Sequence, residues 1–328
     1  MLPALAAVVA LGPETLALQK PGSAGLPVRP LGKSGTSLSI VGLGGWDSVA
    51  NKSGDESIAL MHEALESGIT FWDNCWEYHE GRAEAVMGRA LQPASRRDQV
   101  FLMTKVCARD GQGFRKLFGD SLRRLQTDHV DLLLFHAIQY PGDRERIFDP
   151  ERGGLAAALE ARRRGQIRFL GFSGHMYPAS HLEMLAAPQE WDAVLMPLNI
   201  LDAQYRSFEK TVLPECRRRD IGVLGMKSLA AQNGRLPRDL GVSPELCRRY
   251  ALSLPVTSLL CGLQIREELK GMVRVARDFQ PLTAAEVGDL LKIAEGPARN
   301  GEVEQYKNPQ SGYGCSYHSG VLKAAAPA

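Results

Sequence analysis

The sequence predicts an α/β chain closed into a parallel (β/α)8, or TIM, barrel, with a hairpin before it and a helical extension after it. Three observations predict this. Short apolar runs recur, and several end in a polar, reactive residue: Phe71-Trp72-Asp73, Phe101-Leu102-Met103-Thr104-Lys105 and Asp131-Leu132-Leu133-Leu134-Phe135-His136. Segments with helical spacing separate these runs. Eight strand-plus-helix units follow one another, which closes a barrel rather than an open doubly wound sheet. No GxGxxG follows a strand, which argues against a Rossmann unit.

Residues 1–27 lie outside the predicted barrel. Residues 2–11 are apolar and alanine-rich, and 12–25 are turn-like. The apolar run is too short to span a membrane, and reads either as the remnant of an export signal or as an N-terminal extension. Residues 28–41 read as a hairpin: Gly32-Lys33-Ser34-Gly35 supplies the turn, and Leu38 and Ile40 alternate with serines. The first barrel strand, 41–46, ends at Gly44 and Gly45, where backbone can approach a ligand closely or simply turn. Trp46 beyond them is a candidate pocket wall.

The helix at 55–66 puts Ile58, Met61 and Leu65 on one face, with Gly68 past its end. Strand 69–73 and helix 82–91 follow, then strand 100–105 and a helix at 114–125 with Leu117, Leu122 and Leu125 inward. Strand 130–136 leads to helix 155–164, which stops at Gly165. Strands 167–173, 193–198, 222–226 and 258–261 alternate with helices 179–186, 209–219 and 244–254. One more amphipathic helix at 282–295 belongs to a tail that starts near 280, so residues 28–328 read as a single domain.

Composition bounds the function. A chain of 328 residues, 44% hydrophobic and 23% charged, suits one globular core, and its net charge is +2. Arg162-Arg163-Arg164 and Arg217-Arg218-Arg219 read as basic last turns facing the negative end of a helix macrodipole, so no nucleic-acid partner is expected. Without a membrane span, a cytoplasmic location is favoured, with export through a truncated signal as the alternative. The six cysteines are scattered with no CxxC pair, so neither a disulfide framework nor a metal site is expected. Cys75, between Asp73 and Tyr78, reads as a nucleophile or as a small buried filler; no paired base is visible in the sequence, which favours the filler.

Four of the strand-end residues suit one chemistry. Tyr78 is a candidate general acid, but a free phenol has a pKa of about 10. A nearby ammonium such as Lys105 favours the phenolate, and a carboxylate such as Asp73 holds the lysine charged and in place. A neutral His136 can donate to a carbonyl oxygen on which negative charge develops. Together they suit protonation of an alkoxide as hydride reaches a carbonyl.

With that set, the chain resembles the aldo-keto reductases from about residue 28 to 275. The resemblance rests on Phe71-Trp72-Asp73 with Tyr78 five residues on, Lys105 closing a strand and Leu134-Phe135-His136 closing the next. It implies an Asp73, Tyr78, Lys105, His136 tetrad on a TIM barrel and a nicotinamide cofactor, NADP with NAD as the alternative. The family usually has Ser-Asn after the fifth strand, gripping the nicotinamide carboxamide; Ser173 matches and Gly174 departs. The family's glutamine on the sixth strand has no counterpart, and Asn199 is the nearest amide, as a cofactor contact or a turn residue. Met226-Lys227 stands where many members carry an aromatic that stacks on the nicotinamide, and is similar to a bacterial branch with a C-terminal iron–sulfur segment. Gly262 and Arg266 match that branch's cofactor segment, with Arg266 either pairing a 2′-phosphate or lying on the surface. Lys270, Gly271 and Met272 replace the family's Glu-Asn adenine contact. The tail Tyr313-Gly314-Cys315-Ser316-Tyr317-His318 has one cysteine where a cluster needs four, so no iron–sulfur centre is expected.

The functional expectation is therefore an NADP(H)-dependent reductase of a small aldehyde or ketone. The alternatives are a cofactor-binding barrel with little turnover, acting as a sensor, and a metal-dependent hydrolase using His136 and Asp73. Substrate choice is expected in the loops at 47–53, 138–154 and 232–242. Neither the substrate nor the oligomeric state is legible.

Overall fold

The computed structural model describes residues 16–19, 25–231, 234–311, 313–315 and 317–318. The segment read as an extension or signal remnant lies almost wholly outside the described residues, as does the end of the tail. Eight parallel strands form a closed barrel. They are β3 (Val41–Gly44), β4 (Phe71–Asp73), β5 (Phe101–Val106), β6 (Val130–Phe135), β7 (Ile167–Ser173), β8 (Ala193–Pro197), β9 (Gly222–Met226) and β10 (Ser258–Cys261), with β10 pairing back onto β3. Both faces of each strand are covered, which is why they read as continuous apolar runs. Trp72, Leu102, Leu133, Phe135, Leu170 and Phe172 face the helices. Phe71, Met103, Leu132, Leu134, Phe169, Leu195 and Leu224 fill the interior.

The hairpin pairs β1 (Val28–Pro30) with β2 (Ser37–Ser39) and closes the bottom, with Leu31 and Leu38 entering the interior cluster. Buried Arg29 fastens it by donating to the carbonyls of Val256 (2.9 Å) and Leu252 (3.0 Å). The helical layer begins where the sequence supplies caps. Helix α2 (Gly54–Glu66) starts with a capping box between Ser53 and Glu56, and buries Leu60, Met61 and Ala64. Helix α5 (Gly111–Leu125) is capped by the Asp110 side chain.

The other crossover helices are α3 (Arg82–Ala90), α7 (Gly154–Arg163), α8 (Pro178–Ala186), α9 (Phe208–Arg218), α11 (Pro244–Ser253) and α12 (Arg266–Arg277). Tail helix α13 (Ala284–Ala294) packs Leu290 and Ala294 into a second cluster with Ile200, Leu236 and Tyr250. Short helices α4 (Ala94–Arg97), α6 (Asp143–Phe148) and α10 (Arg235–Leu240) stand where the sequence predicts loops, and α1 (Gly45–Val49) takes the last two residues of the predicted strand 41–46 and the start of the loop after it. Each is too short to show a 3.6-residue period, and α6 is fixed by a tertiary contact, the buried Arg109–Asp143 ion pair at 2.8 Å. Among the described residues no helix is long and apolar enough to cross a membrane.

Candidate active site

Strand period places the tetrad. Phe71, Met103 and Leu134 point into the barrel, so Asp73, Lys105 and His136, each two residues on, point the same way at its C-terminal mouth. Tyr78 returns from the loop after β4. Lys105 Nζ makes an ion pair with Asp73 Oδ1 and donates to the Asn74 carbonyl (2.8 Å) and the Tyr78 hydroxyl (3.2 Å). The same ammonium lies 4.7 Å from the centre of the Tyr78 ring, and that ring meets His136 edge-on at 6.1 Å. All four residues predicted from sequence converge.

The electrostatics differ from the expectation in two respects. Burial pushes the Tyr78 phenol well above its usual pKa, and the negative neighbours Asp73, Cys75, Glu77 and Tyr313 push the same way, so Lys105 does not bring it down. The donor role read for His136 is conditional on a neutral ring. Burial does oppose its charge, but the Cys75 and Cys315 thiols and the Glu77 carboxylate outweigh burial and raise its pKa well above the ordinary imidazole value. Burial also raises the Asp73 carboxyl, against the pull of Lys105.

The remaining predicted residues ring the mouth unevenly. Gly45 begins α1, where a Cβ would stand 2.4 Å from the Asp73 carbonyl oxygen. Trp46 is 48% exposed, stacks on His79 at 4.3 Å and meets Tyr78 edge-on at 5.4 Å. Ser173 ends β7, its hydroxyl buried without a partner. The departure at Gly174 has a steric cause, since a Cβ there would lie 2.6 Å from His181 and 2.7 Å from the Ile138 carbonyl oxygen. The Asn199 amide is taken up inside the protein, donating to the Lys227 carbonyl, Glu304 and Tyr306. Met226 ends β9, and Lys227 donates to the Tyr313 hydroxyl at 2.7 Å. Gly262 leaves room for Asp47, whose Oδ2 would be 2.0 Å from a Cβ. Arg266, exposed at the start of α12, pairs with Glu63 at 2.7 Å.

A profile of the Aldo/keto reductase family matches residues 40–239, more than half of the chain. The chain belongs to the aldo-keto reductase family. An oxidoreductase of Bacillus subtilis, YrpG, is 30% identical over 304 residues, covering 81% of this chain and 90% of that protein. The aldo-keto reductase AFTS1 of Alternaria alternata is 28% identical, and L-galactose dehydrogenase of Arabidopsis thaliana 29%; the matches span 66% and 49% of those proteins' lengths. The solved holo form of aldo-keto reductase AKR11C1 from Bacillus halodurans shares the fold, with a TM-score of 0.66 at 24% identity over 84% of this chain and all of that one.

For an aldo-keto reductase the group to be held is a nicotinamide cofactor, and the residues at that end fit one. The orphaned Ser173 hydroxyl offers an amide its hydrogen bond. At the N-terminal end of α12, the Glu268 carboxylate accepts from the Gln264 backbone amide (2.6 Å) and the Ile265 backbone amide (3.3 Å), donors of the kind an anion uses. A phosphate bound there would have to displace that carboxylate.

The sequence offers the tail segment from Tyr313 as a loop near the substrate or as disordered, and names none of its contacts; the structure brings its residues to the barrel's mouth. Tyr313 meets His175 edge-on at 5.2 Å, the Tyr140 hydroxyl accepts from the Cys315 amide at 3.0 Å, and Tyr317 packs edge-on against Trp76 at 5.8 Å. A cavity of about 540 Å³ lies between the loop after β6 and this tail, bounded by Gln139, Tyr140, Met176, Tyr177 and Tyr313. Their aromatic density in a stretch otherwise short of apolar residues is the signal that could have marked them.

Proposed function

We propose that the protein is an NADP(H)-dependent reductase of a small aldehyde or ketone. One observation carries the reading: a single buried ammonium, Lys105, touches both the Asp73 carboxylate and the Tyr78 hydroxyl. A bound nicotinamide supplies the hydride. The chain's own residues handle orientation and the proton. Tyr78 donates its hydroxyl proton to the carbonyl oxygen as that oxygen becomes an alkoxide. An alkoxide is far more basic than even a buried phenolate, water itself having a pKa of about 15.7, so the transfer remains downhill with the Tyr78 pKa raised. Lys105 stabilises the phenolate left behind, and Asp73 keeps Lys105 charged and aimed. His136 donates to the same oxygen and fixes which face of the carbonyl is presented. Ser173 and Lys227 flank the nicotinamide end, and Arg266 favours NADPH over NADH by exchanging Glu63 for a 2′-phosphate.

The Tyr78→Phe variant tests this. It keeps the ring and loses the proton, so turnover on a panel of aldehydes should fall by about 10²- to 10⁴-fold. Fluorescence titration should show NADPH affinity unchanged. Turnover near wild type would remove Tyr78 from the acid's role. The tail over the mouth supports the second reading, a cofactor-binding barrel with little turnover; normal NADPH affinity with no reduction of any panel member by the unmodified protein would select it.

A further inference from the structure

The strand ends that carry the tetrad also carry sulfur. Cys75 lies two residues past Asp73 and Cys107 two residues past Lys105, and both thiols turn to one edge of His136. Cys75 Sγ and Cys107 Sγ are each 3.4 Å from His136 Nδ1. These three donor atoms and a Glu77 carboxylate oxygen all lie within 4.8 Å of one another. The tail brings Cys315 to the same place, buried, with its thiol beside Cys107 and His136. A thiol that merely fills a core packs against carbon; here two of them stand 3.4 Å from one imidazole nitrogen with a third beside them, and hydride transfer uses none.

The spacing matches a known geometry. In a tetrahedral zinc site, metal–sulfur bonds of about 2.3 Å and metal–nitrogen bonds of about 2.0 Å put sulfur and nitrogen about 3.5 Å apart. The observed 3.4 Å needs almost no adjustment. Donors this close enclose one ion, and are too tight for a cubane cluster whose ligands stand around four irons.

We propose that Cys75, Cys107 and the Nδ1 of His136, with Cys315 carried in by the tail as the fourth ligand, bind a single zinc-class divalent cation at the rim of the barrel. Thiolate donors select zinc over magnesium or calcium, and four protein ligands make the site closed and structural. On binding, the three thiols release their protons to water and the imidazole coordinates in its neutral form. Coordination at Nδ1 leaves the ring proton on Nε2, at the opposite edge, as a donor of fixed tautomer. The metal thereby joins the tail to the barrel and orients His136. The benefit to His136 rests on the reductase reading; the metal site does not.

The test uses the full-length chain, reduced and stripped of metal, titrated with Co²⁺ and then Zn²⁺. The expected result is one equivalent of cobalt with thiolate-to-cobalt charge-transfer absorption, displaced by zinc. Cys107→Ser and Cys315→Ser should each weaken cobalt binding by about a hundredfold or more, while Cys247→Ala, a buried cysteine in the second cluster, leaves it unchanged. If the wild-type chain takes up neither cobalt nor zinc, the proposal is wrong whatever the variants do. Undiminished binding in Cys107→Ser overturns it equally, and loss in Glu77→Gln with Cys315→Ser unaffected overturns the assignment of Cys315. These readouts are separate from turnover, so a metal-binding chain that reduces nothing sinks only the reductase reading.

Discussion

Lys307→Met removes an ammonium from a site with two buried carboxylates. The Lys307 side chain is fully buried, with Nζ 2.6 Å from Asp202 Oδ1, 3.0 Å from Glu304 Oε2 and 2.8 Å from the Tyr205 carbonyl oxygen. Methionine keeps the length and volume of the stem and leaves the acids without their cation. Breaking a buried pair in this way costs about 3–5 kcal/mol, because the surviving charge has no compensation. At about 2 °C per kcal/mol for a chain of this size, the melting temperature should fall by about 6–10 °C at pH 8.

The pH dependence gives a second, independent check. Burial pushes the Asp202 carboxyl up to about 6 even with Lys307 pulling it down. A folded pKa above the unfolded value means the fold favours the protonated, uncharged acid, and stability falls as pH rises through that range. Without Lys307 the preference strengthens, so the deficit grows as pH rises through about 6 and shrinks toward pH 5, where Asp202 holds its proton. Thermal unfolding followed by circular dichroism at both pH values measures it. A drop below about 2 °C at pH 8, or one of equal size at pH 5, would refute the reasoning.

Two further substitutions probe other sites. His181 is fully buried between Phe172 and Phe208, and burial pulls its pKa down to about 4. The unfolded chain therefore binds the proton first as pH falls below about 6.5, and about 3 kcal/mol of stability should be lost by pH 4. His181→Leu should flatten that loss in urea unfolding at pH 7 and pH 4.5, and an unchanged slope would exclude His181 as its source. Glu268→Gln keeps an acceptor for the Gln264 and Ile265 amides and removes the charge that competes with phosphate. NADPH affinity should rise about fivefold, and equal or weaker binding would mean that no phosphate approaches this helix end.

The barrel was legible because its strands are short, apolar and bounded. The reading of 167–173, 222–226 and 258–261 agrees with β7, β9 and β10 to the residue. Helix α6 was not legible because Asp143 is placed by Arg109, thirty-four residues earlier. The convergence of Asp73, Tyr78, Lys105 and His136 was legible for the same reason as the barrel, since a polar residue closing an apolar strand has one place to go. The phenol's electrostatics were not. Sequence supplies Lys105 as a neighbour, but burial and the company of Cys75, Glu77 and Tyr313 are properties of the folded site. Asn199 is a similar case. It sits at the mouth as expected, yet its amide is committed to Glu304 and Tyr306, more than a hundred residues further along.

Those distant partners also change where specificity should be sought. The sequence pointed to the loops after the first, fourth and seventh strands. The structure adds the tail, held over the mouth at two places. Upstream of Tyr313, Lys307 is locked between Asp202 and Glu304. Downstream, Cys315 is held by Tyr140 and sits against Cys107 and His136. Tyr313 lies between the two anchors, its hydroxyl on Lys227 and its ring against His175. A roof fixed on both sides of its aromatic residue moves far less than a loop tip, so the space between Tyr313, Tyr140 and Met176 has a shape set by the tail as much as by the barrel. The same barrel with a different tail would therefore present Asp73, Tyr78, Lys105 and His136 to a differently shaped ligand.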